Sequence, residues 1–140
     1  MRKNNFRLFF VIVLQLFFIS VFGMNTTQDT VINRLQRAQE INKLGGLKLM
    51  QSALKYAQNK KDTYSQWLAL DVIGTYYLES NQMDEALSSF QNSLTLAIEL
   101  DSTRLIGIGY LHLSNLYMRI GRLEKGKENG IKALDIFKET

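Results

Sequence analysis

Residues 70–77, Leu70-Asp71-Val72-Ile73-Gly74-Thr75-Tyr76-Tyr77, followed after a short break by Ala86-Leu87-Ser88-Ser89-Phe90, decide the reading of this chain. Leu70, Ile73 and Tyr77 stand three and four apart, the spacing of one face of an α-helix. Gly74 sets the smallest side chain on that face, and Ala86 is small on the facing turn of the next helix. Small residues let two helices approach closely, while Tyr77 and Phe90 are large enough to fill the layer between them. Asn81 lies in the break and suits a helix C-cap, because Asn enters the left-handed conformation at low cost. The stretch predicts a helical hairpin.

The hairpin recurs. A shift of 40 residues aligns Leu70 with Tyr110, Ile73 with Leu113, Tyr77 with Tyr117, Asn81 with Gly121, Met83 with Leu123 and Leu94 with Leu134. A shift of 40 in the other direction aligns Phe90 with Met50, Ser93 with Ala53, Leu94 with Leu54, Ala97 with Ala57 and Thr103 with Thr63. A fixed period of roughly 20 to 50 residues is the mark of stacked supersecondary units. The rest of the chain carries the same helical spacing, as in Val31/Leu35/Ala38 and Leu47/Met50/Ala53/Leu54/Ala57, and no stretch alternates with period two. There is no Pro to interrupt it. Breaks are expected at Gly45-Gly46, Asn59 to Thr63, Ser80 to Gln82, Leu100 to Thr103 and Gly121. Asp62 or Thr63, and Asp101 to Thr103, are candidate N-caps, and Gly121 is a second C-cap. The expected architecture is all-α, with six helices at about 28–43, 46–59, 64–79, 83–100, 103–119 and 122–138, folded as three antiparallel hairpins (28–60, 64–100 and 103–138).

These residues resemble the tetratricopeptide repeat (TPR) family, whose pattern is an aromatic or Leu, two residues, Leu-Gly, two residues, Tyr, then Ala, three residues, Phe, and a closing Pro. The second unit reads Leu70-x-x-Ile73-Gly74-x-x-Tyr77 with Ala86 and Phe90 at the family's distance; the third reads Tyr110-x-x-Leu113-Ser114-x-x-Tyr117 with Gly121, Ala133, Leu134 and Phe137 following. The departures are Gly126 and Gly130 where Ala and Phe belong, the missing Pro, a period of 40, and Arg34 and Arg37 at the small and Tyr positions of the first unit, which reads as a degenerate N-terminal cap. The resemblance covers about residues 46–138 and implies an α-solenoid that binds peptides or partner proteins in a concave groove lined by the first helix of each hairpin. The implied groove residues are Leu68, Asp71, Thr75 and Leu78 in the second unit, and Ile108, Leu111, Asn115 and Met118 in the third, with Arg119 beside them. Leu68, Leu78, Ile108, Leu111 and Met118 have an alternative reading as packing residues, since apolar positions at helical spacing are usually core. A clamp for a peptide carboxylate is not supported, because only Asn115 and Arg119 would serve it.

The charge of the chain, 17 Lys+Arg against 13 Asp+Glu, sits unevenly. Arg2, Lys3 and Arg7 precede the apolar run from Leu8 to Ile19, and Ser20 to Gly23 close it. Basic start, apolar stretch and small exit are the layout of an export signal over residues 1–23, with 24–140 as the repeat domain. Residues 8–23 as a helix reach about 24 Å, short of the roughly 30 Å of a bilayer core, so an uncleaved membrane anchor is the alternative. Without the leader, 14 basic and 13 acidic residues remain, which leaves little electrostatic footprint for nucleic acid.

No catalytic constellation is apparent. The chain has no Cys, which excludes disulfides, thiolate metal sites and thiol nucleophiles, and His112 is the sole histidine, read as a packing or surface residue. No cofactor or metal is expected. Gly107-x-Gly109 lacks a preceding strand and a third glycine, and Asp84 and Glu85 serve a helix dipole. The last helix spreads Leu123, Ile131, Ala133, Leu134, Ile136 and Phe137 over more than one face, whereas a terminal repeat needs a polar outer face. That predicts a further surface over helix 122–138, either self-association, a partner or further repeats. A binding scaffold outside the cytoplasm is the expected function. The alternative is a stand-alone form of the repeat-bearing sensor segment that it resembles in some bacterial histidine kinases and transcriptional regulators.

Overall fold

The computed structural model describes residues 26–40 and 43–139; the leader or anchor read at 1–23 lies outside the described residues. Six α-helices follow one another: α1 Thr26–Glu40, α2 Lys43–Asn59, α3 Thr63–Glu79, α4 Met83–Glu99, α5 Thr103–Arg119 and α6 Leu123–Glu139. From α2 onward each has 17 residues. Each helix packs on the next, and α1 also touches α3. Among the described residues no helix is long and apolar enough to cross a membrane.

A three-residue turn after each 17-residue helix makes the half-period 20, and the turns share one geometry. Lys61, Asn81, Asp101 and Gly121 all have positive φ, at 54°, 61°, 49° and 75°. In each turn the left-handed residue donates its N–H to a carbonyl three back, and the next residue donates to one five back: Asn81 N to Leu78 O at 3.2 Å with Gln82 N to Tyr77 O at 2.9 Å, and Gly121 N to Met118 O at 3.2 Å with Arg122 N to Tyr117 O at 2.8 Å. This is the Schellman motif, which satisfies carbonyls that a helix end leaves open. Asn81 and Gly121 were expected there; Asp101 is of a type that tolerates the conformation, and Lys61 holds it without a favourable residue type, because the two hydrogen bonds impose it. Asp62 then caps α3, its Oδ1 accepting from Ser65 N at 3.0 Å, whereas Ser102 precedes α5 without a side-chain cap bond.

One expected boundary is corrected. Gly45-Gly46 is not a break: both residues lie in the first turn of α2, and Gly46 is buried. Gly46, Ala86 and Gly126 stand 40 apart and are all buried at the start of the second helix of a hairpin. A pair of glycines reads as a breaker in isolation, but here small size at a close helix approach is what the position requires.

The core is a chain of clusters that join neighbouring hairpins. The first gathers Val31, Leu35 and Ala38 of α1, Met50, Ala53 and Ala57 of α2, and Ala69 and Ile73 of α3. The second joins Leu78, Ala86 and Phe90 to Leu113, Leu116 and Tyr117, and the third joins Trp67 and Ala97 to Leu105. Contacts therefore run between neighbours along the chain, as in a solenoid. In the first hairpin, Arg34 occupies a position where a small residue was expected; its guanidinium donates to Ser52 O at 3.0 Å and lies 4.8 Å from the Tyr56 ring centroid. The departure thus still ties α1 to α2.

Candidate functional site

Asp71 of α3, His112 of α5 and Phe90 of α4 converge where the second and third hairpins meet. The Nε2 of His112 lies 3.1 Å from Asp71 Oδ1, within ion-pair distance but outside hydrogen-bond alignment. The imidazole stacks on Phe90 with ring centroids 4.7 Å apart and planes 4° apart. Phe90 is fully buried, so it holds the ring in place. One turn before Asp71, Trp67 is buried with Nε1 lacking an acceptor among the described residues. Tyr64 lies beside Trp67 with 5.6 Å between ring centroids. The Thr75 hydroxyl donates to Asp71 O at 3.1 Å.

The implied groove residues divide three ways. Leu111, Asn115 and Arg119 are exposed on α5, and Asp71 and Thr75 are half-buried on α3. Leu68 and Ile108 are half-buried, Leu68 against the first and third clusters and Ile108 against the third. Leu78 serves packing, the alternative reading given for it, whereas Met118 is half-exposed, 50% of its surface remaining accessible. Leu78 is buried with Phe90 and Tyr117 in the second cluster. Met118 leans over the start of α6, where a Cβ at Gly126 would lie 2.7 Å from its Sδ. Both stand at the C-terminal end of a first helix, where the returning helix begins.

The sequence reading missed two members of this region. His112 was read as packing, which its stacking on Phe90 matches, but its approach to Asp71 depends on two hairpins docking side by side. Trp67 carries no signal of its own in the sequence; its buried N–H, without an acceptor among the described residues, appears once the third cluster forms around it. Chemically the region offers a carboxylate, an imidazole, an amide and an indole N–H. Two hydroxyls are engaged, Thr75 as above and Ser114 Oγ donating to Gly126 O at 2.7 Å, while Ser65 Oγ on α3 is buried without a partner among the described residues. Among the described residues no three His, Asp or Glu side chains gather to hold a metal.

No protein-family model matches the sequence, and no curated protein matches it. A solved structure does match: the TPR domain of FLU from Arabidopsis, with a TM-score of 0.72, covering 81% of this chain and 99% of that one at 17% identity. The fold is that of a TPR solenoid.

Within the TPR frame, the departures of the third repeat prove to be exchanges of size between facing helices. In the second repeat Gly74 faces Phe90, and a Cβ on Gly74 would come within 2.6 Å of that ring. In the third, Ser114 replaces the glycine and Gly130 replaces the phenylalanine, with Ser114 Oγ 3.0 Å from the place of a Gly130 Cβ. The two glycines in α6 cost about 1 kcal/mol each in helix propensity. The close approach they permit lets Ser114 bond the α6 backbone, which offsets part of that cost.

Proposed function

We propose that this chain is a non-catalytic scaffold that binds a peptide or partner protein along the face shared by α3 and α5, outside the cytoplasm. The observation that carries the binding reading is the strip in which exposed Leu111, Asn115 and Arg119 run beside half-buried Asp71 and Thr75. An apolar contact flanked by an amide, a carboxylate and a guanidinium suits a polypeptide, whose main chain needs both donors and acceptors. Rigid helices hold these groups, so little ordering entropy is spent on binding. Two features argue against catalysis: the Thr75 and Ser114 hydroxyls donate to backbone carbonyls, and the chain has no thiol.

The test uses a displayed random-peptide library selected on the full chain, with the affinity of a selected peptide then measured by calorimetry. Replacing Asp71, Thr75 and Asn115 together by Ala is expected to weaken the peptide by at least about tenfold, since truncating a few central contacts removes most binding energy. Unchanged affinity in a variant that still melts like the parent defeats the groove reading.

The location rests on Arg2, Lys3 and Arg7 ahead of the apolar run Leu8 to Ile19. The chain made in a bacterium with its leader is expected to begin at Met24 when recovered from outside the cytoplasm, as read by N-terminal sequencing. An intact N-terminus in the membrane fraction supports the second reading, a tethered sensor segment of a signalling protein. Recovery in the cytosol overturns both.

A further inference from the structure

Helix α6 is buried only at Gly126 and Ala133, and it leaves Leu123, Ile131, Leu134 and Phe137 between 41% and 58% exposed. The matching stripes of α2 and α4 are covered by the next hairpin: Leu54 packs into the cluster that contains Ala69 and Ile73 of α3, and a Cβ on Gly109 of α5 would lie 2.9 Å from Leu94. A further repeat helix on α6 would need the same apolar stripe. It finds only part of one: Leu134 stands where Leu54 and Leu94 stand, but Lys127 stands where Leu47 and Leu87 stand, and Gly130 where Met50 and Phe90 stand. In place of that aromatic there is an open cleft of about 410 Å³ floored by Ser114, Met118, Gly126 and Gly130. The face therefore suits an occupant of another kind.

Its charges say which. Glu124, Lys127, Asp135 and Lys138 are exposed, as is Ile131, and stand seven and four residues before, and four and seven residues after, Ile131. Such offsets share one face of a helix. Run antiparallel against itself about Ile131, this face sets Glu124 opposite Lys138 and Lys127 opposite Asp135, each twice. Among the described residues these four charges make no ion pair, whereas the other side of α6 is engaged within the molecule. There Lys132 bonds Glu128 at 2.7 Å, and Lys125 and Lys132 lie over the rings of Tyr117 and Tyr110.

We propose that α6 pairs with α6 of a second copy of this chain, antiparallel and on a twofold axis through Ile131. The pairing buries Ile131 against its own equivalent and brings each Leu134 to the height of residue 128 of the other copy. One helix pair lies at the small end of specific interfaces, below roughly 1,200 Å², so the dimer is weak and depends on concentration. The inference is independent of the groove on α3 and α5, and its test leaves those residues untouched except for Leu111→Cys, used only as a cross-linking control.

Sedimentation equilibrium of the full chain is expected to give a monomer–dimer equilibrium. Lys127→Asp alone, or Asp135→Lys alone, sets like charges together twice and is expected to raise the dissociation constant roughly tenfold or more; the double variant restores the opposition and the dimer. Because the chain has no Cys, Ile131→Cys supplies a lone thiol on the axis, and its oxidation is expected to give a covalent dimer far faster than Leu111→Cys does. A monomer at every concentration overturns the proposal and favours a different partner on α6. So does association indifferent to Lys127→Asp, a double variant as weak as the singles, or equal cross-linking at both positions.

Discussion

Phe90→Ala is expected to destabilise the protein by about 3–5 kcal/mol in chemical denaturation, a large share of what a domain of this size holds. The ring is fully buried and touches three helices: it covers Gly74 on α3, stacks on His112 of α5, and packs among Leu78, Ala86, Leu113, Leu116 and Tyr117. Its loss empties a hairpin and loosens the docking of the next, so the transition is expected to broaden as well as shift. The partner substitution makes the argument sharper. Gly74→Ala gains about 1 kcal/mol of helix propensity, yet its Cβ would stand 2.6 Å from Phe90 Cε1, so it is expected to cost about 1–3 kcal/mol in the native background. In the Phe90→Ala background the obstruction is gone and the same change is expected to stabilise. A double-mutant cycle should therefore give a coupling of about 2 kcal/mol or more. Additive effects at the two positions would mean that Gly74 is not the seat of the ring.

What was legible in the sequence follows from what the period repeats. Ile73/Leu113 and Tyr77/Tyr117 recur because each hairpin solves the same packing problem, so helix number, order and most ends could be read from the shift of 40. Features held by backbone hydrogen bonds were hidden. Lys61 takes the left-handed conformation of Asn81 and Gly121 although its residue type does not advertise it, and Asp101, read as a helix N-cap, takes it too. Gly45-Gly46 misled for the opposite reason, since its small size serves packing against a neighbour. Of the residues implied for a groove, Leu111, Asn115, Met118 and Arg119 of α5 are exposed, while those of α3 are half-buried or buried. There Leu78 is taken up by the second cluster, and the approach of His112 to Asp71 joins residues 41 apart, one off the period. Register along one helix says which residues share a face; it does not say how far the neighbouring hairpin covers that face.

The second large effect tests whether the size exchange between repeats is a design of the array. Trp67 and Ala97 are buried together in the second repeat, and the residues 40 further on are Gly107 and Phe137, so large against small has become small against large. A Cβ at Gly107 would already lie 2.8 Å from the Phe137 ring and 3.0 Å from Ile136 Cγ2. Gly107→Trp alone is thus expected to cost about 3 kcal/mol or more, because neither the ring nor the α6 backbone can yield without parting the last hairpin. Phe137→Ala alone should cost less, about 1–2 kcal/mol, since that ring is 41% exposed. Together the two changes reproduce the Trp67–Ala97 pair, and the double variant is expected to recover to within about 1 kcal/mol of the parent in thermal and urea unfolding. That recovery requires α5 and α6 to be spaced as α3 and α4 are, with only the side that supplies the bulk exchanged. If the double variant is instead as unstable as Gly107→Trp alone, the third hairpin is drawn closer than the second, and its glycines at 107, 126 and 130 act as a group that sets that spacing rather than as separate substitutions.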